Sequence, residues 1–177
     1  MTARLDEAVE ADLRPLSDLA ARTFPLACPP DLDAGVIEAF IAEHLSEEAF
    51  RAYTESSDHE VLVCRADCGA IVGYVLLVEG TVMDPDCAAQ IVHRPTRGIS
   101  KFYVDPDHHG AGIASRMLDD VTARSRQSGV RSVWLATNIA NARARRFYVK
   151  HGFEPRGNRT LDVGGVANTD VVYELPL

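Results

Sequence analysis

The stretch Val104–Val121, VDPDHHGAGIASRMLDDV, constrains the fold most, because it predicts a strand, a tight loop and an amphipathic helix in immediate succession. Pro106 turns the chain after the strand, and Gly110 and Gly112 form the loop. The helix leaves its first backbone N–H groups unpaired, with the positive end of its dipole behind them. Such a junction suits a phosphate, and glycines let the backbone approach it closely. The same pattern also occurs in ordinary strand-to-helix turns.

The segments on either side predict a sheet in which two strands run parallel. Ile99–Val104 and Ser132–Thr137 are the predicted strands, and the helix Gly112–Ser128 connects them by a right-handed crossover. The other elements expected along the chain are strands at Arg4–Ala8, Val61–Arg65, Ile71–Val78, Phe153–Val163 and Asp170–Leu175, and helices at Asp12–Phe24, from Asp31 or Asp33 to Leu45, at Ser46–Tyr53 and at Asn141–His151. The predicted fold class is therefore α/β, with a mixed, mostly antiparallel central sheet and flanking helices.

Local signals mark where several elements begin and end. Asp12 and Ser46 are expected to cap the helices that follow them, and Gly129 to end the helix after the glycine loop. Gly164-Gly165 is the expected turn of a terminal hairpin. The segment Gly80–Gly98 has two prolines and little periodicity, so it is expected to form either a functional rim or a poorly ordered flap.

Composition indicates one globular domain over residues 1–177, because the chain is 46% hydrophobic and 25% charged. Its formal net charge of −8 argues against nucleic acid or an anionic membrane as a partner and is compatible with a cationic one. Neither a leader nor an apolar run of membrane-spanning length is visible, so we expect a cytoplasmic protein with reduced cysteines. Cys64 and Cys68 have no second ligand pair nearby, so we expect no metal site.

Two motifs share their residue types and spacing with a known superfamily. The first is His109-Gly110-Ala111-Gly112-Ile113-Ala114, and the second is Asn141-x-x-Ala144-x-x-x-Tyr148-x-x-x-Gly152-Phe153. Together they resemble the GNAT superfamily of acyl-CoA-dependent N-acetyltransferases, whose phosphate loop has the form Arg/Gln-x-x-Gly-x-Gly/Ala at a strand-to-helix junction. The order of elements agrees over nearly the whole chain. The resemblance implies a GNAT-like fold in which the parallel strand pair is splayed.

Part of the chain also resembles bacterial polyamine (spermidine/spermine) acetyltransferases. The strand Lys101–Val104, the strand at Trp134-Leu135 and a helical arm at residues 31–57, expected over the acceptor side, carry this resemblance. The residues in common are largely core aromatics and aliphatics, so they fit packing as well as substrate choice.

The superfamily resemblance implies acetyl-CoA as cosubstrate, without a metal. Backbone N–H groups of the loop would bind the pyrophosphate, and main-chain groups of Phe102 and Val104 would pair with the pantetheine. Tyr148 would donate a proton to the departing thiolate, Asn141 would bind the pantetheine, and small Ala144 would leave room for it. The cofactor-binding residues implied in this way are Phe102, Tyr103, Val104, His109, Gly110, Ala111, Gly112, Ile113, Ala114, Ser115, Asn141, Ala144 and Tyr148. On the residues alone, Tyr148 also fits a half-buried core aromatic and Asn141 an N-cap.

His109 stands where the superfamily has arginine or glutamine. A histidine with a reference pKa near 6.5 is largely neutral at pH 7, whereas arginine stays charged and binds two oxygens at once. We therefore expect the affinity for acetyl-CoA to weaken from about pH 6 to about pH 8. The alternative is an exposed loop histidine beside His108 that contacts no phosphate.

The sequence leaves open which group removes a proton from the acceptor amine. Many relatives have a glutamate where this chain has Ser100. The alternatives near strand ends are Glu79, Asp84, Asp86, His93 and Tyr103. Glutamates on the helical arm either line the approach of a cationic acceptor or lie on solvated surface, namely Glu38, Glu43, Glu47 and Glu48. Three arginines mark either a nearby anion or a solvated helix face, namely Arg143, Arg145 and Arg146.

The expected function is direct transfer of the acetyl group of acetyl-CoA to a primary amine in a ternary complex, with a polyamine as one acceptor. Protein N-termini and other small amines are alternative acceptors. A different class is a non-catalytic acyl-CoA-binding module, which the missing glutamate and His109 suggest. The expected partner is thus a small-molecule or peptide amine, and a homodimer is compatible with the resemblance.

Overall fold

The structure is a computed structural model that describes residues 4–163 and 166–177. The chain forms two compact units. The first comprises the residues up to Leu77 together with Lys101–Val121, and the second comprises Val78–Ser100 and Thr122–Leu177. The expectation of a single domain over residues 1–177 stays a prediction.

Every predicted helix is confirmed, with ends that differ by a few residues at most. Within the described residues, the helices are α1 (Leu13–Thr23), α2 (Ala34–His44), α3 (Glu47–Glu55), α4 (Ile113–Gln127) and α5 (Ala142–Lys150). The strands are β1 (Leu5–Glu7), β2 (His59–Arg65), β3 (Ile71–Glu79), β4 (Thr96–Val104), β5 (Ser132–Asn138), β6 (Glu154–Val163) and β7 (Val166–Pro176).

These strands form a mixed sheet with the hydrogen-bonded order β1-β2-β3-β4-β5-β7-β6. The pairs β1–β2, β5–β7 and β6–β7 are antiparallel, and β4 pairs with β5 in parallel. The parallel register sets Thr96–Gly98 opposite Ser132–Trp134. The predicted fold class, a mostly antiparallel α/β sheet with one parallel pair, is therefore confirmed.

The start of β4 corrects one predicted boundary. Thr96–Gly98 was expected in the long loop, yet these residues make the parallel pairing. The hydroxyl of Ser132 donates to that of Thr96 at 2.8 Å, which adds a side-chain link to the ladder. Gly98 suggested a loop, but a Cβ there would lie 2.9 Å from Cε of Met83, so the glycine serves close packing inside a strand.

The helix caps follow the sequence with one exception. Ser46 Oγ accepts from the Ala49 N–H at 3.2 Å and caps α3, and Gly129 ends α4 at φ 82°. Asp12 precedes α1 as expected, but its carboxylate does not cap the helix. It accepts instead from the Val9 N–H at 2.9 Å and from Arg65 at 2.6 Å, because an arginine offers it a charge-assisted bond.

The segment between β3 and β4 is tied down by side chains of the second unit. It contains a short 3-10 helix at Pro85–Gln90. The indole N–H of Trp134 donates to the Gly80 carbonyl at 2.9 Å. Cys87 is buried in the same cluster as Trp134 and Ile91. These contacts contradict the poorly ordered flap that the sequence allowed.

The terminal hairpin is confirmed by the antiparallel pairing of β6 with β7. β7 begins at Val166, four residues before the predicted Asp170. The predicted turn, Gly164-Gly165, lies outside the described residues. Among the helices that the structure describes, none combines the length and the apolar character needed to cross a bilayer.

Candidate active site

The glycine loop lies in the first unit between β4 and α4. After a 3-10 turn at Pro106–His108, His109 is extended, and α4 begins at Ile113. Gly110 and Gly112 have φ of 85° and 71°, the left-handed region that other residues rarely adopt. A Cβ on either glycine would meet nothing within 4 Å. Space does not require glycine at either position, so these glycines serve the backbone conformation.

Asp105 fastens the start of the loop. Its carboxylate is mostly buried and binds Arg22 of α1 at 2.9 Å. The other carboxylate oxygen accepts from the Asp107 N–H at 3.0 Å, and the Asp105 N–H donates to the Val72 carbonyl of β3 at 2.8 Å. One residue thus connects the loop to a helix and to a neighbouring strand, which fixes where the glycines lie.

Two further side chains hold the loop itself. Arg116 of α4 donates to the Ala111 carbonyl at 2.8 Å. Nε2 of His109 lies 3.1 Å from the Val104 carbonyl, at hydrogen-bonding distance. The ring of His109 is therefore engaged within the loop through one nitrogen, and Nδ1 is the atom that remains for a phosphate.

The last residues of β4, from Lys101 to Val104, are all half-buried. Tyr103 stacks on Tyr74 of β3 with ring centroids 5.5 Å apart, and burial raises the pKa of both hydroxyls. Tyr103 is half-buried and its ring packs on β3, so its backbone is the part that suits the predicted cofactor contact. Phe102 and Val104 are half-buried.

The second motif lies in the second unit, on α5. Asn141 Oδ1 accepts from the Ala144 N–H at 3.0 Å. Asn141 therefore caps α5, as the N-cap interpretation of this residue predicts. Tyr148 is 7% exposed and meets the rings of Phe147 and Phe153 edge-on, both at 5.3 Å. Its ring is therefore held in a fixed orientation, which suits either a core role or a catalytic hydroxyl.

The three arginines of α5 do not form one cluster. Arg145 donates from Nε to the Tyr173 hydroxyl at 3.2 Å and from a terminal nitrogen to the Ile139 carbonyl at 3.0 Å. Its guanidinium therefore supports the turn before α5. Arg143 and Arg146 are exposed, as the solvated-face interpretation expects.

Two of the candidate proton acceptors are engaged in ion pairs. Glu79 binds Arg97, and Asp84 binds Arg159. His93 lies 3.4 Å from Glu174, measured from Nδ1 to the nearer carboxylate oxygen. Asp86 and Ser100 are exposed, and the arm glutamate Glu47 binds Arg51 at 3.1 Å.

One titratable residue of β4 was not singled out by its sequence context. Nζ of Lys101 lies 5.0 Å above the ring centroid of Tyr53, and burial lowers the pKa of this lysine from 10.5 to about 8. The chain has two lysines, Lys101 and Lys150, among 18 basic residues. That rarity is the only sequence signal that could have drawn attention to the position.

The cysteines carry no sign of a metal centre. All four are free, and Cys64 and Cys87 are buried. Burial raises the pKa of both thiols, that of Cys87 to about 11. In the part of the chain that the structure describes, no three His, Cys, Asp or Glu side chains are grouped so that they could hold an ion.

In this mixed sheet, a glycine loop and an amphipathic helix join the parallel pair, and the α5 motif follows. These features together define a class of acyl-group transferases. The family model described as the Acetyltransferase (GNAT) family matches residues 16–153. The chain therefore belongs to the GNAT family of N-acetyltransferases.

Its similarity to individual proteins is consistent with this membership. The chain is 37% identical over 161 residues to an uncharacterized N-acetyltransferase of Mycobacterium tuberculosis, covering 91% of this chain and 95% of the relative. The PaiA N-acetyltransferase of Thermoplasma acidophilum, solved with coenzyme A, superposes with a TM-score of 0.76 at 19% identity, over 100% of both chains. The spermidine/spermine N-acetyltransferase SpeG of Vibrio cholerae gives 0.68 at 16% identity, over 99% of this chain and 95% of that one. At identities this low, the PaiA and SpeG structures show a fold shared with this chain.

Proposed function

We propose that the protein transfers the acetyl group of acetyl-CoA directly to a primary amine, without a covalent enzyme intermediate. The observation that carries this proposal is the glycine loop at the head of α4, with two left-handed glycines between β4 and the first turn of the helix. Membership of the GNAT family and the coenzyme A in the PaiA structure support acetyl-CoA as the cosubstrate.

The loop binds the pyrophosphate through the backbone N–H groups from Gly110 to Ser115. Their dipoles and that of α4 favour negative charge at this end of the helix. Arg116, Asp105 and His109 keep the loop in shape through the contacts at 2.8 to 3.1 Å described above. Little reorganisation is then needed when the cofactor binds.

The reaction begins when a neutral amine attacks the thioester carbonyl carbon. A backbone N–H of the Phe102–Val104 strand stabilises the oxyanion, and Tyr148 assists the departing thiolate. A tyrosine hydroxyl, with a reference pKa near 10, is a weaker acid than a thiol near 8.5, so complete proton transfer is uphill by about 2 kcal/mol. Tyr148 therefore acts mainly through a charge-assisted hydrogen bond, and its proton moves late.

The acceptor is a primary amine, and a polyamine is one member of the class. The SpeG likeness is a likeness of fold, so it favours no acceptor by itself. Glu43 is 74% exposed on the helical arm and is available to a cation, whereas Glu47 is already paired with Arg51. Protein N-termini and amino acids remain competing acceptors, and the predicted cytoplasmic location and homodimer stay predictions.

Thiol release from acetyl-CoA, measured against spermidine, amino acids and N-terminal peptides in parallel, tests the activity. Release with at least one amine supports the proposal. Tight acetyl-CoA binding in calorimetry without release with any amine would support the non-catalytic binding module instead.

A matched pair of variants tests the loop. Gly112→Ala places a side chain at φ 71° and should weaken acetyl-CoA binding by about 5- to 150-fold, if the strain of about 1–3 kcal/mol is relieved by a change in loop conformation. Gly69→Ala imposes the same strain at φ 87° in the β2–β3 turn of the same unit, where a Cβ also meets nothing within 4 Å. Equal loss of binding in both variants would show a general destabilisation and count against the loop.

A further inference from the structure

Lys101 is a half-buried cation whose charge is not compensated by a neighbouring carboxylate. It lies on β4 directly before Phe102, where the proposed cofactor contact begins. Its Nζ is 5.0 Å from the ring centroid of Tyr53 on α3. Within the described residues, no Asp or Glu oxygen comes within 4.0 Å of it.

The groups around this lysine are mostly aromatic. Tyr53 of α3 lies under its Nζ, Tyr103 is two residues further along β4 and stacks on Tyr74 of β3, and burial raises the pKa of all three hydroxyls. His59 of β2 lies 5.2 Å from Tyr53, between ring centroids. Burial lowers the pKa of His59, Asp58 opposes the shift and Lys101 adds to it. Glu43 of α2 acts on the Tyr53 hydroxyl, whose pKa it raises further.

This environment makes the neutral form of Lys101 accessible. Because burial lowers its pKa from 10.5 to about 8, about a tenth of the side chain is unprotonated at pH 7. An arginine in the same position could not lose its proton. The chain uses arginine at most of its 18 basic positions and lysine here.

Resting on the acetyl transfer proposed above, we propose that Lys101 is the proton acceptor for the incoming amine. It occupies β4, the strand whose backbone N–H is proposed above to stabilise the oxyanion, it is partly accessible, and it has no carboxylate partner to hold its charge. Two of the other candidates are less suitable, because Glu79 and Asp84 are engaged with Arg97 and Arg159.

The ammonium form of the acceptor gives one proton to the neutral Lys101 amine, which later releases it to solvent. The neutral acceptor nitrogen then attacks the thioester carbonyl and forms the C–N bond, and collapse of the oxyanion breaks the C–S bond. The thiolate receives one proton by way of Tyr148, and the second proton of the acceptor nitrogen restores the Tyr148 hydroxyl. The products are the amide, free coenzyme A and one proton in solution, and Lys101 is unchanged.

Two substitutions separate a proton acceptor from a fixed charge. Lys101→Arg keeps the cation and its contact with Tyr53 but cannot accept a proton, whereas Lys101→Met removes both. We expect kcat at pH 7 to fall by about two to four orders of magnitude in both variants, with acetyl-CoA affinity nearly unchanged. Lys150→Arg and Lys150→Met, on the exposed end of α5, are the matched controls and should keep wild-type kcat.

The dependence of kcat on pH at saturating amine is a further measurement, and a purely structural role of Lys101 would not change its shape. Wild-type kcat should rise to a plateau near pH 8, and both Lys101 variants should rise without that plateau. Retained activity in Lys101→Arg with loss in Lys101→Met would show a charge role and overturn the proposal. Wild-type kcat in both variants would overturn it as well.

A second measurement needs no turnover. With only two lysines, a chain labelled at lysine Cε gives two NMR signals, and Lys150→Arg assigns them. Titration of Lys101 near pH 8 supports the proposal, and titration near 10.5 overturns it. If the wild-type chain turns over no amine at all, the proposed function fails together with this role. An active wild type with active Lys101→Arg overturns only the role of Lys101.

Discussion

Nε2 of His109 lies 3.1 Å from the carbonyl oxygen of Val104, so the first residue of the glycine motif closes the loop onto the strand before it. The carbonyl can only accept, so Nε2 carries a hydrogen, either in one neutral tautomer or in the protonated ring. The phosphate and the loop closure then use different nitrogens of the same ring. His109 thereby supports the loop in either protonation state.

Replacing His109 with alanine should weaken acetyl-CoA binding by about two- to tenfold, the net value of one hydrogen bond, with little change in kcat. A glutamine offers an N–H at a similar distance from the backbone, so His109→Gln should bind within about twofold of the wild type. Calorimetric titration with acetyl-CoA measures both affinities. His108→Ala is the control, and an equal loss in that variant would show that the closure is unimportant.

The same variant tests the expected pH dependence of binding. Wild-type affinity should weaken from about pH 6 to about pH 8, because the protonated ring attracts the phosphates. His109→Gln has no titrating ring and should be flat over this range. A flat wild-type profile would mean that His109 closes the loop without contacting a phosphate.

Replacing Asp105 should weaken the use of acetyl-CoA more than replacing its ion-pair partner Arg22. Arg22 is 62% exposed and Asp105 12%, so Arg22→Ala removes a solvent-screened contact worth about 0.5 kcal/mol, or about twofold in affinity for acetyl-CoA. Asp105→Asn weakens several bonds at once and should raise the KM for acetyl-CoA by about tenfold. Steady-state kinetics measures both.

Arg14 of the same helix is the matched control for Arg22. Its partner, Asp18, lies 3.8 Å away, and both side chains are mostly exposed. Arg14→Ala should leave the KM for acetyl-CoA unchanged. A larger effect of Arg22→Ala than of Asp105→Asn would contradict the view that the carboxylate is the fixed point of the loop.

The parts of the fold that local chemistry decides could be predicted from the sequence. The amphipathic periodicity of α4, its left-handed end at Gly129 and the cap at Ser46 each depend on a few neighbouring residues. Thr96–Gly98 could not be assigned, because a proline and a glycine nearby resemble a loop. That strand is specified by distant partners, Ser132 and Trp134.

The site divides in the same way. The spacing of Gly110 and Gly112 is a local signal, and their φ of 85° and 71° confirms the tight loop. The link from Arg22 to Asp105 joins residues 83 positions apart, and the burial of Lys101 depends on Tyr53 and other residues far away in sequence. A single sequence contains no pattern for such contacts.

Replacing Tyr148 with phenylalanine should lower kcat by about one to three orders of magnitude, because the thiolate loses its hydrogen-bond donor. The affinity for acetyl-CoA should be nearly unchanged, since the ring keeps its packing against Phe147 and Phe153. Tyr173→Phe, which removes a hydroxyl bonded to Arg145, is the control and should retain kcat. Unchanged turnover in Tyr148→Phe would assign this residue to the core.

Glu174 should contribute strongly to stability because its carboxylate is buried among donors. It accepts from the N–H groups of Val92 and His93 at 3.2 and 2.8 Å and from Arg156 at 2.8 Å. Burial alone would raise its pKa, but these bonds, that of His93 foremost, lower it below its ordinary value of 4.5. Glu174→Gln should therefore reduce the free energy of unfolding at pH 7 by about 2 kcal/mol.

The pH dependence of that loss follows from the direction of the shift. Since the folded pKa of Glu174 is depressed, its contribution is present above pH 4.5 and is lost as the pH falls through the folded value. The difference between wild type and Glu174→Gln should therefore shrink from pH 7 to pH 3 in urea unfolding. Glu154→Gln is the control, because Glu154 binds the same Arg156 at 3.1 Å but is 59% exposed, and it should change stability by less than about 0.5 kcal/mol. Equal losses in the two variants, or a difference that grows toward acid, would show that the hydrogen bonds of the Glu174 carboxylate do not stabilise this unit.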